Sequence, residues 1–177
     1  MRPIIILSLC LLILSCSNPS NNSAKEFVNE VQFTLNGSGY KNVTYKFSSY
    51  RDTRINGAKY ILSNGLTSCT VSNASEAGVN QSFASIGFYG KDTGNYSLAE
   101  PLLNSLRVFI NITKDSTIDA YSVRDSTAGS IAVKIYPQVG EKIEGSFSTV
   151  ITDSRIYPSP KFQITGTFKI MRFSDSN

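Results

Sequence analysis

Ile143-Glu144-Gly145-Ser146-Phe147-Ser148-Thr149-Val150-Ile151 and Phe162-Gln163-Ile164-Thr165-Gly166-Thr167-Phe168-Lys169-Ile170 alternate residue by residue. Ile143, Gly145, Phe147, Thr149 and Ile151 fall on one face of an extended chain, with Glu144, Ser146, Ser148 and Val150 on the other. Phe162, Ile164, Gly166, Phe168 and Ile170 repeat the pattern. A period of two is the signature of a half-buried strand, because successive side chains point to opposite faces. Tyr157-Pro158-Ser159-Pro160 separates the two runs, so they read as a hairpin. A glycine stands near the middle of each, a position that marks a bulge or a bend in a curved sheet.

The same period extends toward the N-terminus. Val31, Phe33 and Leu35 share a face, and Asn36-Gly37-Ser38-Gly39 turns the chain into Val43, Tyr45 and Phe47. Tyr60-Ile61-Leu62 and Thr67-Ser68-Cys69-Thr70-Val71 flank Ser63-Asn64-Gly65, whose Asn-Gly pair signals a tight hairpin. Ala84, Ile86 and Phe88 lead to a turn at Gly90–Gly94. Leu106, Val108, Ile110 and Ile112 make a clear strand, and Ile118, Ala120 and Ser122 a weaker one. Ile131, Val133 and Ile135 end before Pro137. Only Leu98–Asn104 suggests a helical turn. About ten short strands without a long helix predict one all-β domain. The expected architecture is a single antiparallel β-sandwich, jelly-roll or immunoglobulin-like, and a closed β-barrel is the alternative.

The first 26 residues are different. Met1-Arg2 is a basic start, Ile4–Leu14 an apolar run, and Ser15 a small residue directly before Cys16. These are the parts of a secretory signal, and the apolar run falls short of the roughly 20 residues that span a bilayer. Ser17–Ser23 is polar and aperiodic and reads as a flexible tether. The expected organisation is a signal peptide over 1–15, a tether over 16–26 and a β-sandwich over 27–174.

Residue counts exclude much chemistry. The chain has no histidine, which removes Ser-His-Asp and Cys-His sites and histidine-bound zinc. It has no tryptophan, so stacking on sugars falls to nine tyrosines and ten phenylalanines. Of three cysteines, Cys10 lies in the leader and Cys16 at its end, leaving Cys69 without a disulfide partner. Cys69 alternates with Ser68 and Thr70 as a buried strand thiol does, a reactive thiol being the alternative. The net charge is +4, or +3 once Arg2 leaves with the leader, which suits weak attraction to anionic surfaces but is no nucleic-acid footprint.

Between residues 40 and 60 aromatics and bases interleave. Tyr50, Arg51 and Arg54 fall in the expected loop and are the candidate ligand-binding residues, since aromatic rings stack on sugars and cations hold phosphate or carboxylate. The alternative is that the aromatics are core and the bases solvated. Asp92, Asp115 and Asp119 lack the spacing of a calcium loop, and they are residue types that turns require. Glu141 and Glu144, three apart, fall on opposite faces of a strand. No catalytic set, metal site or cofactor motif is read from the sequence.

Two resemblances complete the reading. Ile13-Leu14-Ser15-Cys16 resembles the lipobox of bacterial lipoproteins. That resemblance implies cleavage before Cys16, lipidation of that cysteine and attachment to a membrane of the cell envelope. Ser17, in place of Asp, implies sorting to the outer membrane. Gly94-Asn95-Tyr96-Ser97-Leu98, Gly140–Ser148 and Ile164–Ile170 resemble the glycine-punctuated strands of small, uncharacterised bacterial β-sandwich lipoproteins, with Ile170 in place of their valine. The likeness implies a fold and an address, and it carries over no catalytic residue. The expected function is noncatalytic binding toward a glycan, an anionic envelope surface or an envelope protein. A tethered hydrophobe-binding barrel and a carboxylate-dependent envelope hydrolase are the alternatives.

Overall fold

The computed structural model describes residues 28–37, 39–50, 56–74, 81–97, 108–114, 117–122, 129–153 and 157–177. Eleven strands account for most of them: β1 (Asn29–Gly37), β2 (Tyr40–Ser49), β3 (Gly57–Ile61), β4 (Leu66–Ala74), β5 (Gln81–Tyr89), β6 (Gly94–Ser97), β7 (Val108–Lys114), β8 (Thr117–Ser122), β9 (Gly129–Ile135), β10 (Lys142–Asp153) and β11 (Lys161–Met171). The protein is all-β, with two antiparallel sheets packed on each other and not closed into a barrel. The sandwich expectation therefore stands and its barrel alternative does not.

One layer runs β2-β1-β11-β10-β9-β6 and the other β8-β7-β5-β4-β3. Hydrogen bonding passes between them at one corner. β10 gives Glu144–Thr149 to β9 and then turns Thr152 and Asp153 to β8. Twelve residues let one strand serve both layers.

Periodicity predicts the core. Val31, Phe33, Leu35, Ile143, Phe147, Ile151, Phe162, Ile164, Phe168 and Ile170 of the first layer are buried. Cys69, Val71, Ala84, Ile86, Phe88, Val108 and Ile110 face them from the second. Each large side chain so buried contributes about 1.5–3 kcal/mol. Phe33 stacks on Tyr45 and meets Phe47 edge-on, both ring centroids lying within 5.4 Å.

The central glycines serve a different purpose from the one expected. Gly145 stands opposite Phe168, and Phe147 opposite Gly166. Each glycine is overlain by the ring across the ladder: a Cβ on Gly166 would lie 2.5 Å from Phe147 Cζ. A β10–β9 register shift does adjoin Gly145, but the β1–β11 and β10–β11 ladders run unshifted through Gly166. The reciprocal Gly-x-Phe pair makes room for two aromatic rings in a tightly packed layer.

Asn64-Gly65 does turn the chain, but as the second half of a four-residue loop, since Ile61 pairs with Leu66. Gly65 takes φ +68 and donates its N–H to Ile61 O at 2.9 Å. The C-terminal tail beyond β11 lies parallel to β3, through bridges at Ala58–Arg172 and Ile61–Ser176. Phe173 N donates to Ala58 O at 2.8 Å, and Ser176 N to Tyr60 O at 2.9 Å. The tail covers an edge that would otherwise offer unpaired backbone. The expected helical turn at Leu98–Asn104 lies outside the described residues.

Candidate functional site

On the outer face of the first layer, β1, β11, β10 and β9 place their polar alternates side by side. Gln32 stands opposite Thr167, Thr167 opposite Ser146, and Ser146 opposite Ala132. The next row reads Thr34, Thr165, Ser148 and Ser130. These side chains are short, and their two rows line a shallow trough of about 420 Å³. Phe33, Phe147 and Gly166 form part of its floor, and both rings are themselves buried.

The trough is neutral. Ser and Thr hydroxyls each donate and accept, and the Gln32 amide does both. Thr34 Oγ1 lies 3.0 Å from Thr44 Oγ1, so the hydroxyl array continues toward β2. Two nearby lysines are matched: Lys46 Nζ meets Glu30 Oε2 at 2.8 Å, and Lys169 pairs with Glu144 across the β10–β11 ladder. Such exposed pairs add little stability, and exposed Lys134 of β9, two residues beyond Ala132, adds one positive charge near that end.

A smaller recess of about 200 Å³ lies between β3, β4 and the tail, lined by Asn56, Gly57, Lys59, Ile61, Ser68, Thr70 and Ser176. Asn56 Oδ1 accepts from Ser72 N at 2.6 Å and Ser72 Oγ at 2.7 Å. Its polar edge is thus engaged in holding the strand.

Of the ligand-binding candidates singled out from sequence, Tyr50 falls within the described residues. Tyr50 directly follows β2 and is exposed, and its carbonyl accepts from Asn29 Nδ2 at 3.3 Å. Arg51 and Arg54 lie outside the described residues, as does Cys16. The rest of the aromatic-basic stretch divides as the alternative reading held. Phe47 is core, Tyr45 stacks on Phe33, Tyr40 meets Phe162 edge-on, and Lys46 is held by Glu30.

Asp92 is a turn residue: its carboxylate accepts from Thr93 N at 2.8 Å and its carbonyl accepts from Tyr96 Oη at 2.8 Å. Asp115 lies outside the described residues. No cluster of three metal-ligating side chains occurs among the described residues. Burial pushes the Cys69 thiol up to about 12, so it is a poor nucleophile.

A polar cluster closes the end of the sandwich near the tail. Thr67 Oγ1 donates to Gly90 O at 2.5 Å and lies 3.0 Å from Tyr136 Oη. The Arg172 guanidinium sits over the Tyr136 ring, donates to Pro137 O at 3.1 Å and pairs with Asp175 at 2.7 Å. Burial raises the Tyr136 hydroxyl above its ordinary value, against the lowering influence of Thr67 and Arg172. This cluster fastens the tail to the loop after β9. The trough therefore stands as the candidate site, and sequence reading misses it because its rows join strands distant in the chain.

No family model, curated protein or solved structure matches the chain.

Proposed function

We propose that the protein is a lipid-anchored envelope protein whose sandwich binds, without catalysis, an uncharged polyhydroxylated ligand such as a neutral glycan. The hydroxyl-lined trough, with no charged side chain in its lining, carries the binding half of this reading. A glycan offers the same mixed donors and acceptors, and no buried charge need be desolvated to receive it. The leader that precedes Cys16 supports the address, with attachment through lipid in the outer membrane. The trough favours a neutral glycan over an anionic one, because its lining holds no charged side chain and Lys46 and Lys169 beside it are paired with carboxylates.

The test is a glycan array probed with the detergent-solubilised full chain. Binding to uncharged glycans is expected, and it should disappear in Ser146→Arg and Thr165→Arg, which fill the trough. Both positions face outward, so the unfolding temperature should hold within about 2 °C, as for surface substitutions. Binding that survives both substitutions, or an array without a hit, ends the proposal.

A further inference from the structure

We propose that the end of the sandwich from which the N-terminal segment departs is a membrane-seating surface, its loop tips resting at the boundary of lipid headgroups and acyl chains. The proposal depends on the reading of Cys16 as the lipid-bearing residue.

Strand register gathers one set of segments at this end. β1 begins here beside the end of β11, with Met171 N donating to Asn29 Oδ1 at 2.8 Å. β2 ends here at Ser49, followed by Tyr50. The β3–β4 turn, the β5–β6 turn, the loop from β9 to β10 and the C-terminal tail join them. Gly90 N donates to Gly65 O, Leu62 N to Ser176 O and Gly140 N to Arg172 O, all within 2.9 Å.

Among the described residues, four of the six large exposed hydrophobics lie here: Leu62 is 54% exposed, Val139 53%, Ile135 46% and Tyr50 40%, while Val43 and Tyr157 lie at the far end. Turn chemistry calls for Gly, Asn, Asp, Pro or Ser, not for aliphatic side chains at loop tips. Single exposed hydrophobics mean little. Their meaning here comes from their position on the end that faces the anchor.

The occupant follows from the length of chain beyond β1. Twelve residue steps separate Cys16 from Val28. At about 3.5 Å a step they span at most about 42 Å, and a flexible chain of that length averages about 19 Å. β11 alone runs eleven residues, which carries the Tyr157 end roughly 33 Å farther away. At its average span the tether thus brings a bilayer to this end, and only a chain near full extension would let it meet the other.

Among the described residues here Lys59, Lys91, Lys134 and Lys142 stand against Asp92 and Glu141, an excess of two positive charges, and Arg172 is taken by Asp175. On a bilayer without net charge this excess adds little, so seating should rest on apolar burial and withstand salt.

The absence of tryptophan from the chain supplies the experiment. The full acylated chain carrying Leu62→Trp or Val139→Trp is reconstituted in phosphatidylcholine vesicles with or without brominated acyl chains. Val43→Trp and Tyr157→Trp, at the far end, are the references. All four positions are exposed, so each variant should unfold like the parent. Bromine should quench the first pair at least about twofold, in low and high salt alike, and leave the second pair unchanged. Equal emission from all four, in protein whose intact mass includes the lipid on Cys16, overturns the seating surface alone. A mass lacking the lipid overturns the anchor and the seating together. Shielding of the first pair from aqueous quenchers without bromine quenching also overturns it, in favour of a protein partner at this end.

Discussion

Replacing Gly166 by alanine adds one methyl group where β11 passes beneath the Phe147 ring. The new Cβ would lie 2.5 Å from Phe147 Cζ and 2.6 Å from Gln32 O. Ordinary contacts begin near 3.4 Å. The ring can swing away only into a filled core. The Gln32 carbonyl belongs to β1, whose ladder with β11 runs unshifted through this point, and it cannot retreat without opening that ladder. The substitution should fall at the upper end of overpacking costs, about 3 kcal/mol. For a chain of this size that lowers the unfolding temperature by about 6–12 °C.

Two references isolate the cause. Thr165→Ala, one residue away on the outer face, should change stability by less than about 0.5 kcal/mol. Phe147→Leu alone should cost roughly 1–2 kcal/mol through lost packing. Combined with Gly166→Ala, it removes the ring half of the collision. The double variant should then be more stable than the sum of the singles by about 1 kcal/mol. Thermal and urea unfolding followed by circular dichroism measure all four proteins. A drop under about 2 °C for Gly166→Ala, or strict additivity in the cycle, refutes the ring-over-glycine account.

Other expectations are as direct. Cys69 titrates near 12 in the folded chain against 9.0 as an ordinary thiol, so the unfolded state gives up its proton first as pH rises. The stability this contributes is intact below pH 9 and falls by about 1.4 kcal/mol per pH unit above it. Urea midpoints should drop more steeply with alkaline pH in the parent than in Cys69→Ala, and parallel slopes would contradict the burial. Asn29 is fully buried and serves Ser49 Oγ, Tyr50 O and Met171 N, so Asn29→Ala should cost about 2–3 kcal/mol, read from urea unfolding. A loss under 0.5 kcal/mol, the scale of a neutral surface change, would show those bonds to be replaceable. Cys16→Ser should abolish the lipid mass and the partition into detergent, and a variant that still partitions would place the anchor elsewhere.

The strands are legible because burial imposes a period of two on each of them. Val31-x-Phe33-x-Leu35 and Ile131-x-Val133 could be placed inward without knowing a single neighbour, and all are buried. Where the prediction slips, pairing is the reason. Ile135 extends the β9 pattern yet is exposed, because the ladder skips Lys134: Val133 faces Gly145 while Ile135 faces Glu144. Val43 continues the Tyr45–Phe47 face but sits toward the hairpin end of the outermost strand, beside Asn42 at φ +52, and is exposed too. The Gly-x-Phe repeats show in the sequence, but their reciprocity exists only once Gly145 is set opposite Phe168. The trough is still less legible. Thr34 and Thr165 are neighbours only because β1 lies against β11, and nothing local to either strand states that pairing.

Seating and trough together set an orientation that can be tested through the tether. With the loop end on the bilayer, the strands stand away from it and the trough opens sideways. Its two rows cross β1, β11, β10 and β9, so a polymer lying along them runs parallel to the membrane. Thr167 is four residues from the end of β11, which sets the nearer row roughly 13 Å above that end. If only the tether held the domain, ten Gly/Ser residues inserted between Asn22 and Ser23 would widen the average span from about 19 Å to about 26 Å and let the trough drift and tumble. If the loop tips hold it, the insertion changes little, since apolar burial fixes the height independently of the tether. Bromolipid quenching of Leu62→Trp should therefore survive the insertion nearly whole. Quenching that falls in step with tether length would show that the domain hangs from its lipid and does not sit on the membrane.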